Sequence, residues 1–198
     1  MRAFFLMSNI KLFVGLGNPG EKYETSRHNA GYWWIDFIER NHRLGMKPFS
    51  KFNGIVGKYS DETDCLFLKP TTFMNESGRS VQSIVKFYKI KPEEMLVIHD
   101  ELDLQPGTVK LKFGGGHGGH NGLKSIESSI GSNNFWRLRI GIGHPGIKDE
   151  VAGYVLKKPL KKDFDLINAS ILDSYRVFSN LLLGEFEKAM LNLHSTLK

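Results

Sequence analysis

The sequence predicts a single α/β domain built on a twisted, mixed β-sheet with helices on both faces. Short apolar strands alternate with amphipathic helical stretches along the chain, the pattern of a sheet covered on both sides. A chain of 198 residues suits one domain with a sizeable core and would leave a second one cramped. Val109, Leu111 and Phe113 alternate with lysines, which marks a half-exposed strand and makes the sheet mixed rather than all parallel. With 40% hydrophobic and 24% charged residues, the composition excludes a disordered, collagen-like or disulfide-stapled chain.

Taken in order, residues 10–15 read as a buried first strand, and Ala30, Trp33, Trp34, Phe37 and Ile38 then recur at helical spacing. Strands are predicted near residues 55–59 and 65–68. A second helix follows with Val81, Ile84, Val85 and Tyr88 on its inner face and Asn75 placed to cap it. Residues 95–99 form another buried strand, ending at Asp100. After the lysine-bearing strand come a glycine-rich loop and a short helix over about residues 123–130. In the last strand Trp136, Leu138, Ile140 and Ile142 alternate with Arg137 and Arg139. Two helical patterns close the chain, Phe164/Ile167/Ile171/Tyr175/Phe178 and Phe186/Ala189/Met190/Leu193.

The single cysteine, Cys65, sits in an apolar run with no adjoining cation and reads as a packed strand residue. The apolar stretch within residues 1–8 is too short for a signal-peptide core, and no stretch approaches the ~18 apolar residues of a membrane helix. A soluble, cytoplasmic protein is expected. The net charge of +6 is compatible with a nucleic-acid partner without requiring one. Its distribution says more, because Lys110 with Lys112 and Arg137 with Arg139 each share a strand face.

Gly15-Leu16-Gly17-Asn18-Pro19-Gly20 matches the glycine pattern of dinucleotide-binding turns. Such a site needs a helix starting in the turn, with its N-terminus facing the pyrophosphate. Here the polar residues 21–29 intervene, and the acidic residue due about 20 positions later would be Asp36 or Glu39, inside a helix. A tight turn presenting Asn18 at a strand end is the better reading.

His28 is either a solvated loop residue or a general base, and Asp100 gives weight to the second. It ends a buried strand, where open α/β sheets place their site residues. A carboxylate there can hold a histidine in the tautomer that general-base chemistry needs. The competing role for Asp100 is closing the turn ahead of Pro106-Gly107.

The segment Gly114-Gly115-Gly116-His117-Gly118-Gly119-His120-Asn121-Gly122 suits a backbone that turns sharply or lies close to a ligand. His117 and His120 raise a metal site, but without Cys, Asp or Glu at ligand spacing it is incomplete. Bonding of the histidine and asparagine to backbone, with Asn121 as a helix cap, stands beside it. No Gly-x-Ser-x-Gly elbow occurs, so the nucleophile of a hydrolase built on these residues would be water.

Six segments, in order and spacing, resemble bacterial-type peptidyl-tRNA hydrolases. They are residues 15–20, Arg27-His28-Asn29, Pro70-Thr71-Thr72-Phe73-Met74-Asn75, His99-Asp100-Glu101-Leu102-Asp103, residues 114–123 and residues 137–146. The resemblance runs from about residue 10 to residue 156 and continues only as helical pattern. It implies a monomeric hydrolase, a single domain over residues 10–198, that cuts the ester joining peptide to tRNA in peptidyl-tRNA. In that family's terms His28 is the base that activates water and Asp100 orients it. Asn18, Asn75 and Asn121 hold the peptide and the tRNA 3′ end, while Tyr23 and Met74 line the cleft. Lys112 and Arg139 grip the tRNA 5′ phosphate, and no metal or cofactor is required. The chain departs from the pattern in residues 1–9, an extension with Met7 a candidate initiator, and at Ser26, where many relatives have Thr. Two rivals remain: a metal-dependent hydrolase using His117 and His120, and a non-catalytic RNA- or nucleotide-binding module.

Overall fold

The computed structural model describes residues 9–194. Its strands are β1 (Leu12–Gly15), β2 (Lys47–Phe49), β3 (Gly54–Tyr59), β4 (Cys65–Pro70), β5 (Met95–Glu101), β6 (Val109–Phe113) and β7 (Trp136–Gly141). They form one seven-stranded sheet in the order β2-β3-β4-β1-β5-β7-β6. β4, β1, β5 and β7 run parallel through its middle. β2 pairs antiparallel with β3, β3 with β4, and β6 with β7, so the sheet is mixed as predicted.

The helices are α1 (Ala30–His42), α2 (Ser77–Tyr88), α3 (Asn121–Ile130), α4 (Val151–Val155), α5 (Lys161–Tyr175), α6 (Phe178–Leu182) and α7 (Phe186–His194). Period-2 alternation divides the core between the sheet's faces. Phe13, Leu96, Ile98 and Leu138 pack with Trp34, Ile38, Ile171 and Phe178 from the layer of α1, α5, α6 and α7. Leu12, Val14 and Val97 pack with Val81, Ile84, Leu123 and Ile126 from α2 and α3 on the other face. No helix among the described residues is long and apolar enough to cross a membrane.

Several local readings change. The first strand begins at Leu12 rather than at residue 10, and β2, three exposed residues including Pro48, is too short and polar to leave a periodic signal. The helical pattern predicted to run to Phe178 breaks at Arg176 and Val177, where α6 takes over, and α4 precedes it. α2 starts only after a 3-10 turn over Met74–Glu76, so Asn75 caps nothing and Glu76 holds the cap position without a side-chain bond. α3 starts at Asn121, and its cap is His120, not Asn121. Cys65 is 2% exposed, and burial pushes its thiol up to about 12, a packed residue as expected. The extension expected over residues 1–9, with Met7, lies outside the described residues except for Asn9.

The first turn of α1 lies directly on the sheet, and small residues make this possible. A Cβ at Gly31 would stand 2.4 Å from both the Ile98 carbonyl oxygen and the Leu16 nitrogen. Both are backbone atoms that cannot swing aside. This close approach brings the residues just ahead of α1 against the C-terminal end of β5. Gly31→Ala is therefore expected to lower unfolding free energy by about 1–3 kcal/mol, because α1 must lift off the sheet. A urea midpoint unchanged from the parent protein would contradict the close packing.

Candidate active site

The site forms where β1 and β5 end. Asp100, the penultimate residue of β5, is 3% exposed and accepts hydrogen bonds from two imidazoles. His28 Nδ1 lies 2.9 Å from Asp100 Oδ1 and 3.0 Å from Oδ2. His120 Nε2 lies 2.9 Å from Oδ1. His28 belongs to a 3-10 turn over Arg27–Asn29 that leads into α1, so the Gly31 contact carries it onto β5. The two rings lie 4.9 Å apart, inclined at 47°.

These bonds assign the tautomers. His120 Nδ1 accepts from the backbone N–H groups of Gly122, at 3.1 Å, and Leu123, at 3.3 Å, capping α3. Its proton must therefore sit on Nε2, which donates to Asp100. An ionised carboxylate only accepts, so His28 donates from Nδ1 and keeps the lone pair of Nε2 for a substrate or water. Burial alone would push Asp100 up, but the two histidines outweigh it and hold the carboxyl well below the ordinary range. Burial likewise works against protonation of His28, yet the charge and hydrogen bond of Asp100 prevail and raise its pKa above 6.5. His99 donates from Nδ1 to the Asp100 carbonyl at 2.6 Å. Burial, reinforced by the neighbouring His120, pulls His99 down to about 3, so it stays neutral and does not compete for the proton.

Around this centre the structure brings together several predicted residues. Asn18 Oδ1 accepts the Met74 backbone N–H at 2.8 Å. The Asn18 backbone exchanges hydrogen bonds with the Asn29 side chain at 2.8 and 3.0 Å. Met74 is buried, and a Cβ on Gly122 would meet its sulfur at 2.5 Å and His120 Cε1 at 3.1 Å, so these groups form one wall. Tyr23 is half-buried and meets the exposed Phe73 edge-on at 6.3 Å. Asn75 and Asn121 are both exposed.

The basic positions divide. Lys110, Lys112, Arg137 and Arg139 share the α2/α3 face at the β6 edge, because Lys110 lies opposite Arg139 and Lys112 opposite Arg137. Lys112 is exposed, as alternation predicts. Arg139 is not free, since its Nε donates to Glu101 Oε2 at 2.9 Å. Arg137 is only 3% exposed, held beneath the glycine loop, so it shares the strand face without reaching solvent. A carboxylate one residue beyond Asp100 and a loop folded over the strand are long-range placements that alternation does not encode.

His117 and His120 do not form a metal pair. His117 Nδ1 accepts the Gly119 N–H at 3.0 Å, while His120 turns to Asp100. Among the described residues it is instead His28, Asp100 and His120 whose ligand atoms lie within 4.8 Å of one another, close enough to hold an ion. In the hydrogen-bonded arrangement both facing nitrogens carry protons, which a metal would have to displace. Sequence reasoning missed three contributors: His120 as the second donor to Asp100, Asn29 as the brace of Asn18, and Arg27. The Arg27 guanidinium lies 4.0 Å over the Tyr154 ring and donates to the carbonyls of Tyr154, Lys157 and Lys158, tying the His28 turn to α4. A histidine and an asparagine at the starts of helices were the available signals for the first two.

The sequence profile of the peptidyl-tRNA hydrolase family matches residues 12–198. A peptidyl-tRNA hydrolase of Methylobacillus flagellatus is 53% identical over 192 residues, covering 97% of this chain and all of the relative. One from Actinobacillus pleuropneumoniae is 54% identical over 191 residues, covering 96% of this chain and 98% of the relative. A crystal structure of peptidyl-tRNA hydrolase from Acinetobacter baumannii superposes with a TM-score of 0.92 at 46% identity, covering 95% of this chain and 96% of that one. On sequence, fold and coverage alike, this chain belongs to the peptidyl-tRNA hydrolase family.

Proposed function

We propose that this protein hydrolyses the ester between peptide and tRNA in peptidyl-tRNA, with His28 as general base oriented by Asp100. The observation that carries the mechanism is the Asp100 carboxylate between two imidazole N–H donors, which leaves His28 Nε2 unprotonated. His28 Nε2 takes a proton from water, and the hydroxide formed adds to the ester carbonyl. The tetrahedral intermediate collapses by expelling the ribose oxygen of the tRNA 3′ end, which takes the proton back from His28. Products are a peptide carboxylic acid and free tRNA.

The developing oxyanion needs fixed donors. Asn18 suits this role, because its oxygen is occupied by Met74 and its amide nitrogen is thereby oriented. Asn75 and Asn121, both exposed, hold peptide and 3′-terminal nucleotides, and Tyr23 and Met74 give the site its apolar lining. Lys112 and Arg139 hold the tRNA 5′ phosphate; Glu101, bonded to Arg139 Nε, leaves the terminal nitrogens of that guanidinium for the anion. All these groups come from one chain, so a monomer suffices, and a substrate made by translation places the work in the cytoplasm. The reaction needs no redox group, and no step is assigned to a metal.

His28→Ala is expected to lower kcat by about three orders of magnitude with KM little changed, since a base acts on the chemical step. Parent activity on N-acylated aminoacyl-tRNA should survive EDTA. Turnover near the parent rate in the folded variant, or loss on chelation restored by zinc, would contradict the mechanism.

The rate needs neutral His28, so kcat/KM should rise with pH through an apparent pKa above 6.5. Asp100→Asn removes the charge that favours the imidazolium and leaves burial unopposed, which should move this limb to lower pH. His120→Ala withdraws a donor from Asp100, concentrates its charge on His28, and should move the limb to higher pH. Shifts in the same direction for both variants would contradict the arrangement.

Replacing both Lys112 and Arg139 by alanine should raise KM, reduce the salt dependence of binding by about one phosphate for each cation lost, and leave kcat nearly unchanged. The preference for 5′-phosphorylated over dephosphorylated substrate should shrink. A preference as strong as the parent's would place the phosphate site elsewhere.

A further inference from the structure

We propose that Arg137 is a positioning residue for the reaction, setting the glycine loop that carries His120 and, through His120, the orientation of Asp100 and His28. This rests on the reading of His28 as general base. The loop from Gly114 to Gly119 has little side-chain packing of its own, and Gly114, Gly115, Gly118 and Gly119 adopt positive φ. Its path is therefore set by backbone partners. One guanidinium supplies two of them: Arg137 Nη1 donates to the Gly116 carbonyl at 2.7 Å, and Nη2 donates to the Gly115 carbonyl. Nη2 also donates to Glu127 Oε1 on α3, at 3.0 Å, and the guanidinium carbon lies 4.8 Å from the Phe135 ring centroid. Strand, loop and helix are tied at a single group, and the loop and α3 meet at His120.

At 3% exposure Arg137 cannot meet an RNA phosphate directly. Burying such a charge gains little stability over a well-packed hydrocarbon, so its value lies in fixing geometry. The proposed phosphate position touches the same loop. Lys112 lies opposite Arg137 across the strand pair, and a Cβ on Gly115 would come within 2.8 Å of its Nζ. The phosphate-binding edge and the catalytic carboxylate thus share one segment of backbone, with Arg137 beneath it.

The test is steady-state turnover of N-acylated aminoacyl-tRNA by the full chain carrying Arg137→Lys, alone and combined with His120→Ala. Lysine keeps the charge but cannot reach both carbonyls and Glu127 together. Alone, it should lower kcat by about tenfold, change KM less than about twofold, and shift the acid limb to higher pH, as His120→Ala does. In the His120→Ala background the same substitution should change kcat by less than about twofold, because the residue it acts through is gone. Thermal melting establishes that each variant folds. If Arg137→Lys does not fold, Glu127→Gln, which spares the loop carbonyl bonds, should show a milder kcat loss that also vanishes in the His120→Ala background. An undiminished effect in that background, an unaltered kcat in a folded protein, or a loss confined to KM with weaker salt dependence would overturn the proposal. Retention of parent turnover by His28→Ala would instead remove the reading beneath it, and the two failures are distinguishable in one assay.

Discussion

An ionised carboxylate sealed from water persists in a folded protein only when donors surround it, because the lost hydration is worth several kcal/mol. Asp100 meets this condition with two imidazole N–H groups on its oxygens, supplied by segments 72 and 20 residues away in the chain. Each donor then has its other nitrogen defined. His120 is committed on that side to two backbone amides of α3. Among the described residues His28 Nε2 has no such commitment, which leaves its lone pair available. One buried charge thereby fixes which nitrogen of His28 carries the proton in the neutral ring and why its proton affinity is raised.

Much of the surrounding structure can be understood as holding those two imidazoles in place. Gly31 lets the turn bearing His28 lie against β5, and Arg27 ties the same turn to α4 and the residues just after it through three carbonyls. Asn29 braces Asn18, which in turn holds Met74, so the residue that follows His28 is linked through Asn18 to Met74. On the opposite side the glycine loop delivers His120. The turn before α1 and the glycine loop carry the two histidines, while the parallel strand β5 supplies the carboxylate between them.

The strands that position the site were legible because burial on both faces writes long apolar runs into β1 and β5, and alternation writes itself into β6 and β7. His28 and Asp100 could be singled out from their places at a helix entrance and a strand end. What escaped was decided by tertiary contacts. His117 and His120 look equivalent in sequence, yet one closes a local turn and the other reaches Asp100. Asn121 and Asn75 carry the residue type of a cap, but His120 took one position and a 3-10 turn displaced the other. Arg137 and Arg139 share an alternating pattern, but a glycine loop covers the first and Glu101 engages the second. Periodicity reports which face a side chain occupies, and cannot report what covers that face.

The central claim concerns where two protons sit, and nitrogen NMR reads this directly. Long-range ¹H–¹⁵N correlation on the uniformly labelled protein, recorded above the His28 pKa, distinguishes the neutral imidazole tautomers. The expected result is Nδ1–H for His28 and Nε2–H for His120, both with hydrogen-bonded shifts that change on Asp100→Asn. A neutral His28 carrying its proton on Nε2 would contradict the claim, because the nitrogen turned away from Asp100 would then have no lone pair with which to activate water.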